Sequence, residues 1–93
     1  MNTARVSRQV IYHGRVQGVG FRMTARRLAQ RFPVTGSVRN LPDGTVKLVA
    51  VGDPRPVQEF LDAVAHAMQR CIEHTESAPG PPDCDFPSFE IAD

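Results

Sequence analysis

His13-Gly14-Arg15-Val16-Gln17-Gly18-Val19-Gly20-Phe21-Arg22 joins an apolar, strand-like run to a run with helical spacing, and it holds three glycines, two arginines and no acid. Glycine lacks the Cβ that restricts other residues, so this loop is free to turn its N–H groups inward around an anion, most effectively where it opens a helix. Arg22 falls in the first turn of that helix and brings five donors in a flat fork that matches phosphate oxygens. The chemistry is that of a phosphate or carboxylate cradle. Glycines between a strand and a helix also serve as a plain tight connection, and composition alone leaves both readings open. Two other loop types fit badly. No Gly-Lys-Ser/Thr follows the glycines, as a Walker loop requires, and Arg22 and Met23 stand where the dinucleotide-binding fingerprint needs its third glycine.

Working outward, residues 5–13 read as a strand, with Val6, Val10 and Tyr12 on one parity interrupted by Arg8, and Ile11 on the other. Phe21, Ala25, Leu28, Ala29 and Phe32 recur at helical spacing, which predicts a helix from Phe21 to Phe32 stopped by Pro33. Arg26, Arg27 and Arg31 fall on its remaining faces and read as solvated charge. A second extended segment follows from Val34 to Asn40, with Val34 and Val38 inward and Gly36 at a bulge or a close approach. Asn40-Leu41-Pro42-Asp43-Gly44 has hairpin-turn composition, and Val46, Leu48 and Ala50 then alternate with Lys47 and Val49 in a third strand.

Asp53-Pro54 reads as a helix start, Asp accepting from free backbone N–H groups and Pro losing nothing at the first helical position. Val57, Phe60, Leu61, Val64, Met68 and Cys71 keep the helical period. Ile72 to Glu76 has room only for a short polar edge strand. The prolines at 79, 81, 82 and 87 make Ser77 to Pro87 a loop, and Phe89 and Ile91 return as a final strand. His66 and His74 have no ligand partner recognisable from the sequence. The order strand, helix, strand, strand, helix, strand predicts a two-layer α/β (α+β) sandwich with an antiparallel sheet, both helices on one face, and a possible short fifth strand in the C-terminal segment.

At 93 residues the chain is expected to form one domain, 1–93. Its net charge of +1 conceals an asymmetry: residues 1–40 carry eight arginines and no acid, whereas residues 41–93 carry three basic residues and all ten acids. Such a division favours a positive face around the glycine loop, unless the two parts interleave and neutralise each other. No apolar run approaches bilayer length and Met1 to Arg8 is not followed by a signal-peptide core, so a cytoplasmic location and no membrane partner are expected. Cys71 and Cys84 form neither a metal pattern nor Cys-x-x-Cys, and no Cys-x5-Arg is present. Two free thiols are the simplest reading, with a bridge an alternative in an exported protein.

Gly14-Arg-Val-Gln-Gly-Val-Gly-Phe-Arg22, followed by Gly36-Ser-Val-Arg-Asn40 and Asp43-Gly44-Thr-Val46, closely resembles the acylphosphatase family. The resemblance covers most of the chain to about residue 70 and then thins, the regular edge strand of the family giving way here to Cys71–Glu76 and the proline-rich stretch. It implies a ferredoxin-like βαββαβ fold and hydrolysis of an acyl phosphate to a carboxylate and inorganic phosphate, with no metal, no cofactor and no phosphoenzyme. By that resemblance, Arg22 binds the phosphate and Asn40 orients water, while Arg15, Val16, Gln17, Gly18, Val19 and Gly20 form the loop whose backbone N–H groups complete the cradle. A small-molecule substrate and a monomer are expected. The pattern requires no histidine at position 13, so His13 is expected to be structural.

The implied chemistry suits these residue types. A carboxylate leaves an acyl phosphate with little acid assistance, so the reaction needs only a held phosphoryl group, compensated charge and water placed in line with the P–O bond. Arg22 and the loop amides supply donors, and the Asn40 amide has an oxygen to accept from water and an N–H to donate. Two other readings compete. RNA binding would use the basic first part and exposed strand aromatics, of which Tyr12 is the one candidate; no nucleic-acid partner is therefore expected. An anion-binding or regulatory module would keep the loop without turnover, as in related domains of larger metalloenzyme-maturation proteins. The chain end, two residues after Ile91, favours a free-standing enzyme.

Overall fold

The computed structural model describes residues 5–82 and 86–92. Seven elements follow one another: β1 (Val6–Gly14), α1 (Phe21–Ala29), β2 (Thr35–Asn40), β3 (Val46–Gly52), α2 (Pro54–Ala67), β4 (Ile72–Pro79) and β5 (Phe89–Ala92). The first six give the expected ferredoxin-like βαββαβ order, with both helices packed on one face of the sheet. The strand order is β4-β1-β3-β2-β5. Pairings β1–β4, β1–β3 and β2–β3 are antiparallel, but β2–β5 is parallel, so the sheet is mixed. Phe89 explains why the added strand sits there. It is buried and meets Phe60 edge-on at 5.2 Å, while its backbone pairs beside Gly36.

The core lies between the sheet and the helices. Val10 and Tyr12 of β1, Val38 of β2 and Val46, Leu48 and Ala50 of β3 meet Phe21, Ala25 and Ala29 of α1 and Val57, Phe60, Leu61 and Val64 of α2. Small Ala25 and Ala29 let α1 approach the sheet closely, and Phe60 fills the space between Phe32 and Phe89. Gly36 is a close approach and not a bulge. It stays in register opposite Ala50 with φ 147°, and a Cβ there would lie 1.8 Å from the Val49 carbonyl oxygen.

Three expectations change at the element ends. α1 stops at Ala29, short of Phe32, because Pro33 bars its predecessor from helical geometry. The chain tightens instead through Arg31 N–H to Leu28 and Phe32 N–H to Ala29, and Phe32 still packs against the core. Asp53 makes no side-chain cap. α2 starts with Pro54 and a Val57 N–H to Asp53 carbonyl bond of 3.1 Å. β4 runs on through Pro79, because an edge strand tolerates a proline whose missing N–H faces away from the ladder. Ser77, Ala78 and Pro79, read as loop from composition, pair with Val10, Gln9 and Arg8. Cys71 is a free thiol packed against the core at the turn after α2, and Cys84 lies outside the described residues.

Candidate active site

The glycine loop leaves β1 at Gly14 and enters α1 at Gly20, whose φ of 79° and ψ of 20° reverse the chain at the helix cap. Gly18 has a similar φ of 75°. Within this turn Val16 is buried and pins the loop to the core, while Gly18, Val19 and Gly20 are exposed. Beneath it, the ring of Tyr12 packs against Phe21 with centroids 4.7 Å apart, fixing the first residue of α1. Burial pushes the Tyr12 phenol pKa up, which removes it as a base near neutrality. The first helical bond is Thr24 N–H to Gly20 carbonyl at 3.0 Å. The N–H groups of Phe21, Arg22 and Met23 therefore precede the hydrogen-bonded ladder and stand at the positive end of the helix.

β2 delivers Asn40 to the same place. Asn40 shares the helix-facing parity of Val38 and pairs opposite Val46, at the end of the sheet where the loop emerges. Val16, Gly18, Gly20, Phe21, Arg22, Met23 and Asn40 line a cleft of about 120 Å³. That volume is well below the ~300 Å³ at which sites for drug-sized ligands begin, and it suits a small anion. Arg22 is half-buried, and its guanidinium lies 3.5 Å from the Ala92 carbonyl of β5. A larger groove of about 330 Å³ opens near the other end of α1, between Arg26, Gln30, Thr35 and Ser88. It offers one charged side chain and no helix N-terminus, so the smaller cleft is the chemically equipped one.

Of the residues singled out from the sequence, Val16, Gly18, Gly20, Arg22 and Asn40 meet at this cleft. Arg15 and Val19 are exposed on the loop and do not line it. Gln17 points elsewhere: its side-chain amide donates to the carbonyls of Leu41 at 2.8 Å and Thr45 at 2.9 Å. It thereby braces the glycine loop against the β2–β3 hairpin that carries Asn40. No sequence signal distinguishes such a brace from any other loop glutamine. The hairpin has its own clasp, since Asp43 accepts from the Thr45 hydroxyl at 2.6 Å and the Thr45 N–H at 3.0 Å. These bonds hold the Asp43 carboxyl below its ordinary pKa.

Among the described residues, no arginine of the basic first part forms an ion pair with a carboxylate. Their charge is available to draw anions towards the loop. The open face of the sheet carries no Phe, Tyr or Trp among the described residues, because Tyr12 faces the helices and is buried.

A family model described as Acylphosphatase matches residues 8–91, well past the region around residue 70 where the sequence motifs thin. The acylphosphatase of Listeria welshimeri is 39% identical over 80 residues, which are 84% of this chain and 86% of that protein. The acylphosphatase of Latilactobacillus sakei is 48% identical over 56 residues, and the match spans 60% of this chain and 61% of that relative's length. Among solved structures, the acylphosphatase of Bacillus subtilis superposes with a TM-score of 0.81 at 27% identity, covering 94% of this chain and 98% of that one.

Proposed function

The chain belongs to the acylphosphatase family, and from that premise we propose that it is a metal-independent acylphosphatase, hydrolysing acyl phosphates to a carboxylate and inorganic phosphate. The observation that carries the reading is the convergence of Arg22, the α1 N-terminus and Asn40 on one small cleft. In this mechanism the phosphoryl group docks against the Arg22 fork and the N–H groups at the start of α1. As the bond to the leaving carboxylate lengthens, charge spreads over the equatorial oxygens, and those donors hold it more strongly than in the ground state. Asn40 accepts from a water on the far side and aims it at phosphorus in line with the departing oxygen. Asn40 is not a base, so the water's proton passes to a phosphate oxygen or to solvent. Phosphorus is attacked directly by water, with no phosphoenzyme.

Turnover of a simple aryl acyl phosphate with a chelator present, run in water enriched in a heavy oxygen isotope, tests this. The reading predicts hydrolysis with the label in phosphate. Label in the carboxylate, or loss of turnover with the chelator, would contradict it. We further propose that it acts as a monomer in the cytoplasm on small acyl phosphates.

A further inference from the structure

On the open face of the sheet, opposite the cleft, the β1–β4 register places His13 directly across from His74. Their imidazole rings stack at 4.1 Å between centroids and 12° between planes. Glu76, two residues along β4 and so on the same face, contacts His13 Nε2 through its carboxylate. One potential ligand atom from each of the three lies within 4.8 Å of the others. More than sixty positions of sequence separate His13 from His74 and Glu76, and only the strand pairing assembles them. A register shift at His13/Gly14 marks the same point, where a bulge re-aims side chains.

We propose that His13, His74 and Glu76 form a surface site for a borderline divalent transition ion of the Zn²⁺ or Cu²⁺ class. Two imidazoles and one carboxylate are the donors such ions take, and Zn²⁺ sites with three protein ligands keep a fourth position for water. Tetrahedral bonds of about 2.0–2.1 Å need donor atoms roughly 3.3 Å apart, so the groups must close by a small rotation. The imidazoles turn from stacked to edge-on towards the ion. The exposure of His74 and Glu76 permits that without repacking the core. Hard Ca²⁺ and Mg²⁺ are excluded by the paired nitrogens. Lys47, one register step away opposite Ile11, is the cation that opposes binding from β3.

The ion would clip β4 to β1. All of β4 beyond Ile72 is exposed, so this edge strand is held chiefly by its backbone ladder. Binding to the folded chain alone stabilises it by mass action, which a melting temperature reads directly. The site lies across the sheet from Asn40 and takes no part in the proposed hydrolysis.

The test is calorimetric titration of the intact protein with Zn²⁺ and with Cu²⁺, beside melting curves with and without chelator. One saturable equivalent and a chelator-reversible rise in melting temperature are expected. His74→Ala should weaken binding by more than the ~10–100-fold that loss of even an outer-shell partner costs. His66→Ala, in the last turn of α2, should bind as the parent does. Absence of saturable binding, unchanged affinity in His74→Ala, or loss in His66→Ala would each overturn the assignment.

Discussion

The side-chain amide of Gln17 donates to the carbonyl of Leu41 at 2.8 Å, tying the glycine loop to the residue next to Asn40. Together with the second bond to Thr45, this makes the anion cradle and the proposed water-orienting residue one rigid unit. Gln17→Ala leaves two carbonyls without this donor, and should cost about 1–3 kcal/mol of stability at ~0.5–1.5 kcal/mol per bond. Because Gln17 acts only through position, kcat should fall while inorganic phosphate still inhibits. Urea midpoints and steady-state kinetics on the same preparation check both effects.

Arg22→Ala removes the fork that the proposal sets against the phosphoryl group. Transition-state binding should weaken by about 2–4 kcal/mol, as for other preorganised donors. Phosphate inhibition should weaken in parallel. Arg22→Lys restores charge but not the planar pair of donors, so it should recover phosphate binding more than turnover. Inhibition constants and kcat/KM measured together separate these outcomes.

Gly36→Ala tests the packing that places Asn40. An added Cβ would lie 1.8 Å from the Val49 carbonyl oxygen at a φ that side chains rarely adopt. The β2–β3 ladder must separate there, and a loss above ~4 kcal/mol is expected. That is a large part of what a domain of this size possesses. Equilibrium urea unfolding measures it.

Asp43 gives a pH dependence with a definite sign. Its folded pKa is held below the ordinary 3.8 by the Thr45 hydroxyl and N–H. The stability it contributes is therefore present above that value and is lost as pH falls through the lower folded value. Asp43→Asn should be less stable than the parent at neutral pH, and the gap should shrink below about pH 4. The carboxylate is fully exposed, so the effect should be small and visible chiefly as converging unfolding midpoints.

Local signals in the chain made much of this structure legible. Helical spacing from Phe21 and Val57, alternation around Leu48 and turn chemistry at Asp43-Gly44 each report on a few neighbouring residues, and the elements lie on those patterns, with α1 ending three residues early. The glycine loop and Asn40 were visible as a motif, and the cleft brings Gly18, Gly20, Arg22 and Asn40 together. What composition concealed depends on partners distant in sequence. Pro79 pairs with Arg8 in an edge strand, Phe89 finds its place beside Gly36 through Phe60, and Gln17 turns its amide to another hairpin. His74, with no apparent ligand partner in the sequence, acquires His13 only through the β1–β4 register.

The most direct test of the central claim is to measure turnover of an aryl acyl phosphate and binding of inorganic phosphate side by side in the parent and Asn40→Ala. The account predicts that kcat falls by about 10²–10³ while phosphate binds nearly as before, because the side chain directs water and does not grip the anion. Near-normal turnover in Asn40→Ala would contradict it.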